Sequence, residues 1–195
     1  YFEDGFWYYT RFETGKDYPI VARRKGTMEA PEEILLDQNA MAAGKDFFQV
    51  GTWEVSPDGS KLAWAEDLNG RRQFTIKVKD IASGELLDSA ITGASANIVW
   101  GDDNRTLWFV ENDPKTLLTT HVKTHVIGAP IGEARLIYTE TDNSFYMGIG
   151  RTRSEQHICI YVQSTVSSEQ RCTKAASPGE FTLIAPRERD VAYSA

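Results

Sequence analysis

Ser-Pro-Asp-Gly-Ser-Lys-Leu-Ala-Trp occupies positions 56–64, and a related phrase, Gly-Asp-Asp-Asn-Arg-Thr-Leu-Trp-Phe, returns 45 residues later at positions 101–109. Each copy joins a polar tight turn, in which Gly or Asn can take positive φ, to an apolar run suited to a half-buried strand. A third copy with degenerate turn chemistry begins at Arg151. Repeats of about 40 to 50 residues, with four short strands each, are typical of β-propeller blades.

Turn and strand signals divide the chain into four predicted blades, at roughly 1–40, 46–88, 94–139 and 145–185, with the start of another at 189–195. Turn clusters every eight to twelve residues are the all-β signature. The first blade shows three apolar runs, at 6–12, 18–24 and 33–37, and is therefore predicted to lack its first strand. The Ala-rich stretch 39–45 is predicted to form a helical turn between blades. The predicted fold is all-β, a partial propeller of about four four-stranded antiparallel blades.

About four blades do not close a propeller ring, so this architecture predicts exposed strand edges and an exposed apolar blade face. Because the first and last repeats are incomplete, we expect the chain to be part of a larger protein. Exposed edges also predict self-association, by edge pairing or by packing of the end blades.

The composition excludes several classes of function. With 21 Lys and Arg against 28 Asp and Glu, the formal charge is −7, which argues against a nucleic-acid partner. No apolar stretch approaches the roughly 20 residues that cross a membrane, and no signal peptide is present, so we expect a soluble, cytoplasmic protein.

Cys159 and Cys172 could pair if they lay on neighbouring strands. A reducing cytoplasm favours free thiols, which is the expectation here.

Motifs that would carry catalysis or bind a metal are missing from the sequence. No Gly-x-Ser-x-Gly occurs, and the hydroxyl-rich stretch 164–169 is predicted to be an ordinary hairpin turn. His121 and His125 lie on a predicted strand at 119–127, where four residues span about 13 Å and cannot share one ion bound at about 2.1 Å. We interpret these two and His157 as surface or turn residues. Most carboxylates fall in predicted turns, where they bond to the backbone. No catalytic residue, metal or cofactor is predicted.

The ordered set of segments between the turns resembles oligopeptidase B, also called protease II, over essentially the whole chain. Ser-Pro-Asp-Gly alone is common to many propellers, but the full set in this order is specific. The segments that carry the resemblance are 7–11, 13–20, 22–26, 31–37, 55–58, 70–73, 99–104, 113–118 and 145–151.

This resemblance implies a seven-bladed propeller attached to an α/β-hydrolase domain, in the prolyl oligopeptidase family of serine peptidases. It implies cleavage of short peptides after Lys or Arg, with the Ser, Asp and His triad in the hydrolase domain, outside this chain. The chain would then be an inactive part of a gate that admits small peptides and excludes folded proteins. Its partners would be short basic peptides and the hydrolase domain, towards which Asp46, Arg72 and Arg151 are candidate ion-pair positions.

Acidic charge on the propeller would attract cationic substrates, because charge of one sign lining a cavity raises the local substrate concentration. Two alternatives remain at the level of sequence. The first is a non-enzymatic propeller that binds peptides or proteins. The second is a hydrolase that is active without a further domain.

Overall fold

A computed structural model describes residues 1–191 of the chain. These residues form three sheets in which every strand pairs antiparallel with its neighbours, together with a helix of only five residues. The all-β class predicted from the turn and strand signals is confirmed.

The first sheet has four strands in the order of the chain. The prediction that this repeat lacks its first strand is wrong, because residues 2–3 form a short strand whose Phe2 and Glu3 pair with Trp7 and Phe6. Two residues are too few for an alternating pattern to be visible. Helix α1 (Gln38–Ala42) follows, and Asp37 caps it by accepting from the backbone N–H groups of residues 39 and 40. The strands are β1 (Phe2–Glu3), β2 (Phe6–Arg11), β3 (Ile20–Lys25) and β4 (Glu32–Asp37).

The second sheet has seven strands, and it joins the second and third predicted blades. Its central strand, β8, pairs with β7 through its first half and with β9 through its second half. The change of partner occurs around Gly93, whose φ of +65° favours glycine. One strand therefore spans the predicted junction between 88 and 94. The strands are β5 (Gln49–Val55), β6 (Lys61–Asp67), β7 (Phe74–Asp80), β8 (Leu86–Trp100), β9 (Thr106–Asn112), β10 (Thr119–Val126) and β11 (Arg135–Thr139).

The third sheet contains β12 (Tyr146–Arg151), β13 (His157–Gln163), β14 (Ser168–Lys174) and β15 (Thr182–Ala185), again in chain order. The further strand predicted at 189–195 falls largely outside the described residues. We call β1–β4 the first repeat, β5–β7 with the start of β8 the second, the rest of β8 with β9–β11 the third, and β12–β15 the fourth.

An apolar core fills each junction between neighbouring repeats. Strands that are covered on both faces are therefore apolar on both, and each fully buried aliphatic side chain contributes about 1.5–3 kcal/mol. The first junction buries Tyr8, Leu35, Leu62 and Trp64; the second buries Ile76, Ile91, Ile98 and Phe109; the third buries Val110, Val122, Met147 and Ile160.

The repeats have two distinct ends. The tight turns 56–60, 101–105 and 152–156 lie together at what we call the turn end. The connections 68–73, 113–118 and 164–167 lie at the opposite end, which we call the loop end. Both ends follow from the antiparallel order, because each strand runs from one end to the other.

The turn conformation repeats along with the sequence. Gly59, Asn104 and Glu155 occupy equivalent positions and have φ of +72°, +57° and +60°. The predicted use of Gly and Asn at positive φ is confirmed, and Glu155 adopts the same conformation in the degenerate copy. The turns are also joined to one another, since the backbone N–H of Asp58 donates to Asn104 Oδ1 at 2.8 Å.

Candidate substrate channel

A concave opening, which we call the channel mouth, lies at the turn end between β5, β8 and β12. It has a volume of about 620 Å³ and is lined by the ends of β5, β8 and β12 and by the turn between β1 and β2. Side-chain hydrogen bonds join β5, β8 and β12 to one another. Trp100 Nε1 donates to the carbonyl of Glu54 at 3.0 Å, and Asn97 Nδ2 donates to the carbonyl of Ile149 at 2.8 Å.

Among residues 1–191, carboxylates dominate the charged lining of the channel mouth, and Arg151 supplies the one cationic side chain. These carboxylates are Glu3, Asp4, Glu54, Asp58 and Glu155. Because charge of one sign in a concave, low-dielectric wall focuses the field, the arrangement favours cationic ligands.

Glu54 is the most perturbed of these groups. Enclosure by the walls of the mouth, followed by the negative charges of Glu3 and Glu155, raises the pKa of Glu54 to about 7. By solvent-accessible surface Glu54 is nevertheless exposed, so the group lies on an open concave surface and solvent weakens the effect of enclosure. Burial and the charges of Asp4 and Glu155 also raise the pKa of Glu3. A cation bound here would relieve this repulsion.

Arg151 links the third and fourth repeats at the channel mouth. Its Nη2 donates to the carbonyl of Trp100 at 3.1 Å and pairs with Asp102, and its Nη1 pairs with Glu155 at 3.3 Å. The structure thus gives Arg151 contacts within the propeller. An additional contact of Arg151 with another domain stays a prediction.

Asp46 and Arg72 lie at the loop end, away from Arg151. Both are exposed, and neither side chain has a hydrogen-bond or ion-pair partner among residues 1–191. Arg72 has φ of +56°, and its backbone is held by Asp67 and Asn112. The structure therefore does not bring the three predicted ion-pair positions together, because they divide between the two ends.

Two predictions about individual side chains are wrong. Cys159 and Cys172 are not free thiols: they face each other across β13 and β14 and form a disulfide. His125 is not a surface residue, because it is buried and shares a 2.8 Å hydrogen bond with Asp88, which comes from the preceding repeat. His121, by contrast, is partly exposed and lies 3.4 Å from Glu111.

The turns predicted at two kinds of position agree with the structure. The hydroxyl-rich stretch after β13 is a turn in which Ser164 Oγ accepts from the backbone N–H of Ser167. Asp58, Asp103 and Asp113 bond to backbone N–H groups of their own turns. Among residues 1–191, no helix is long and apolar enough to span a membrane.

The fold and the turn repeats identify the family. All of the chain, residues 1–195, matches the family model described as prolyl oligopeptidase, N-terminal β-propeller domain. The chain belongs to this family. It forms part of the N-terminal β-propeller domain of a prolyl oligopeptidase-family peptidase.

Relatives within the prolyl oligopeptidase family carry more than one enzyme name. The chain is 55% identical over 210 aligned positions to dipeptidyl aminopeptidase BI of Pseudoxanthomonas mexicana, covering 100% of this chain and 29% of that protein. It is 28% identical to Protease 2 of Moraxella lacunata, covering 95% of this chain and 28% of that protein. The chain thus spans less than a third of the length of these relatives.

Solved structures of the prolyl oligopeptidase family show the same architecture. Oligopeptidase B from Leishmania major superposes with a TM-score of 0.93 at 28% identity, covering 100% of this chain and 28% of that one. Oligopeptidase B from Trypanosoma brucei, in a closed form with covalently bound antipain, gives 0.88 at 28% identity with the same coverage.

Glu54 and the Asp88–His125 pair were missed from the sequence. Glu54 lies on β5, two residues before the turn that begins at Ser56, so its position at the mouth could have been inferred from the repeat. Nothing local marks Asp88 and His125 as partners, since they are 37 residues apart in different repeats.

Proposed function

We propose that this chain is the substrate-gating portion of a serine oligopeptidase that hydrolyses short peptides after Lys or Arg. The observation that carries the proposal is the acidic channel mouth, where five carboxylates face one guanidinium and Glu54 has a pKa of about 7. A Lys or Arg side chain that enters this mouth reduces the repulsion between the carboxylates. The mouth thereby concentrates cationic peptides at the entrance to the catalytic site.

In this proposal the chain carries no catalytic residue and is inactive alone. The Ser, Asp and His of the triad belong to an α/β-hydrolase domain elsewhere in the complete protein. Short basic peptides are the ligands of the mouth. A chain tested alone self-associates through its strand edges, such as β15, where Leu183 and Ile184 are 44% and 60% exposed.

The loop end is the proposed contact with the hydrolase domain. Asp46 and Arg72 are exposed there, with no side-chain partner among residues 1–191, as expected for charges that pair across a domain interface. Every repeat also places a large exposed apolar side chain at this end. These side chains are Phe12, Phe47, Leu68, Leu117, Tyr146 and Val166.

A dipeptidyl aminopeptidase is the second candidate, favoured by the 55% identity to dipeptidyl aminopeptidase BI of Pseudoxanthomonas mexicana. An enzyme that releases dipeptides must accept a free α-ammonium group. That group is also a cation, so an acidic mouth fits this activity as well.

One assay of the complete protein separates the candidates. Three fluorogenic peptides are compared: one blocked at its amino end with Arg before the scissile bond, a Gly-Arg dipeptide substrate with a free amino end, and a Gly-Leu counterpart. Cleavage of both Arg substrates with little cleavage of the Leu substrate supports the Lys/Arg oligopeptidase. Cleavage of only the two substrates with free amino ends supports the aminopeptidase. No cleavage of any of the three supports a non-enzymatic binding propeller.

A further inference from the structure

A second and larger cavity lies between the third and fourth repeats, towards the turn end. Its volume is about 1010 Å³, and its walls come from β9, β10 and β11 on one side and from β13 and the β14–β15 connection on the other. The apolar part of the lining includes Trp108, Ile160 and Phe181, and the rings of Trp108 and Phe181 meet edge to face at 5.7 Å. A concave apolar site of this size accommodates a small organic ligand.

Three side chains that can donate hydrogen bonds form a row along one wall of this cavity. Trp108 pairs with Thr124, and Thr124 pairs with Arg135, on three adjacent strands. Directly opposite residues in antiparallel strands point to the same face, and neighbouring strands are about 4.8 Å apart. An indole N–H, a hydroxyl and a guanidinium therefore follow one another from the interior of the junction to its rim.

None of these three donors is satisfied by the described residues. Trp108 Nε1 is buried and has no acceptor, and the side chains of Thr124 and Arg135 have no hydrogen-bond or ion-pair partner among residues 1–191. Buried polar groups are nearly always paired in folded proteins, so the buried indole N–H is the unusual group, whereas Thr124 is half-buried and Arg135 is exposed. An exposed Arg at the rim of an apolar cavity, without a side-chain partner among residues 1–191, is suited to a carboxylate.

The lining of this cavity also contains negatively charged side chains that have no ion-pair partner among residues 1–191. Glu133 and Glu180 also belong to its lining, are exposed, and have no side-chain partner among the described residues. An ammonium group satisfies these two carboxylates as a carboxylate satisfies Arg135. A ligand that carries only a negative charge would pair with Arg135 but would leave Glu133 and Glu180 without an ion-pair partner.

We propose that this cavity binds a short peptide with free ends and an apolar carboxyl-terminal residue. Its carboxylate pairs with Arg135 and accepts from Thr124, its apolar side chain packs against Trp108 and Phe181, and its ammonium group lies towards Glu133 and Glu180. This site is distinct from the channel mouth, since the two cavities have no lining residue in common.

Calorimetric titration of the complete protein with the dipeptide Leu-Phe tests the site. Leu-Phe contains no Lys or Arg and is too short to release a dipeptide, so it is a substrate of neither proposed activity. Arg135→Gln is expected to weaken binding about tenfold, because it removes a charge-assisted hydrogen bond. Arg105→Gln is the matched control: the same change, at the same end, on an exposed arginine outside the cavity lining, with no expected effect.

Two further arms address the ligand and its apolar contact. Leu-Phe amide, which lacks the carboxylate, is expected to bind wild type about tenfold more weakly and to be insensitive to Arg135→Gln. Phe181→Ala is expected to weaken Leu-Phe binding while leaving the far-ultraviolet circular dichroism unchanged. Equal affinity of the Arg135→Gln and Arg105→Gln proteins, equal affinity for the acid and the amide, or no detectable binding of Leu-Phe overturns the proposal. Each of these results leaves the peptidase assay unaffected.

Discussion

Asp88 and His125 form a buried hydrogen bond of 2.8 Å between strands that belong to different repeats. The same carboxylate accepts from the backbone N–H groups of Ala90 and Gly128, at 2.8 and 2.6 Å. The Asp88 side chain thus joins the start of β8 to β10 and to the turn that follows β10. This polar contact supplements the apolar core of the junction between the second and third repeats.

The Asp88–His125 pair is predicted to stabilise the fold in a pH-dependent way. Burial opposes ionisation of Asp88, but the two backbone N–H groups and His125 outweigh it and lower the pKa of Asp88. A lowered pKa contributes stability that is present above the unfolded value near 3.8 and is lost as the pH falls through the folded value. Asp88→Asn is therefore expected to cost about 2 kcal/mol in the free energy of unfolding at pH 7, and less at pH 3.

Urea unfolding of the Asp88→Asn, His125→Ala and double variants measures this coupling. The exposed Asp17→Asn is the control, with an expected change below about 0.5 kcal/mol. The two single changes are expected to be non-additive by about 1–3 kcal/mol. Additive effects would show that the pair contributes no joint stabilisation.

The disulfide between Cys159 and Cys172 is predicted to stabilise the fourth repeat by restricting the unfolded chain. For a sequence separation of 13, the loop-closure estimate is about 3 kcal/mol. Replacing both cysteines by Ala is expected to lower the free energy of unfolding by this amount, as is reduction of the wild type with dithiothreitol. The double variant should not respond to dithiothreitol. Identical unfolding of oxidised and reduced wild type would contradict the prediction.

Arg151 and Arg72 make a matched pair of predictions. Arg151 is bound by Asp102, Glu155 and the carbonyl of Trp100, so Arg151→Gln is expected to lower the free energy of unfolding by about 1–2 kcal/mol. The exposed side chain of Arg72 has no partner among the described residues, so Arg72→Gln is expected to change it by less than about 0.5 kcal/mol. Thermal unfolding of both variants checks this prediction. A larger loss of stability from Arg72→Gln than from Arg151→Gln would contradict it.

Glu54 is predicted to make the channel mouth sensitive to pH. Enclosure and the charges of Glu3 and Glu155 raise its pKa from 4.5 to about 7, so the protonated form is favoured in the folded protein. The resulting stabilisation is fully present below pH 4.5 and is lost as the pH rises through about 7.

Glu54→Gln cannot ionise, and it is therefore expected to exceed wild type in stability above pH 7. A gain of about 1 kcal/mol is expected at pH 8, because solvent contact reduces the effect, with little difference at pH 4. Chemical unfolding at the two pH values measures this, with Glu29→Gln as an exposed control. A gain that is equal at both pH values would count against a raised pKa.

Local signals in the sequence account for much of the fold. The turn phrases at 56–64 and 101–109 place positive φ at Gly59 and Asn104, and short apolar runs between turn clusters mark most strands, because both signals depend on neighbouring residues only. β1 was missed because two residues carry no period. The continuity of β8 was missed because the last strand of the second repeat and the first strand of the third follow each other without a turn cluster.

Contacts between distant residues could not be predicted in the same way. The pairing of Cys159 with Cys172 depends on the register of β13 and β14, and the expected compartment led to the wrong redox state. The burial of His125 depends on Asp88 in another repeat. The position of Glu54 at the mouth depends on how β5, β8 and β12 meet at the opening. These features are set by packing between repeats.

The claim that the acidic mouth admits cationic peptides is tested most directly by kcat/KM of the complete protein for a dibasic and a neutral peptide. Two variants that remove two carboxylates each are compared at low salt and at pH 8, where Glu54 is mostly ionised: Glu3→Gln with Glu54→Gln at the mouth, and Glu29→Gln with Glu85→Gln at exposed positions outside its lining. We predict that the mouth variant loses about fivefold in kcat/KM for the dibasic peptide only, that high salt reduces this loss, and that the control pair changes neither substrate. Equal kcat/KM for the dibasic peptide in both variants, with no dependence on salt, would contradict the account.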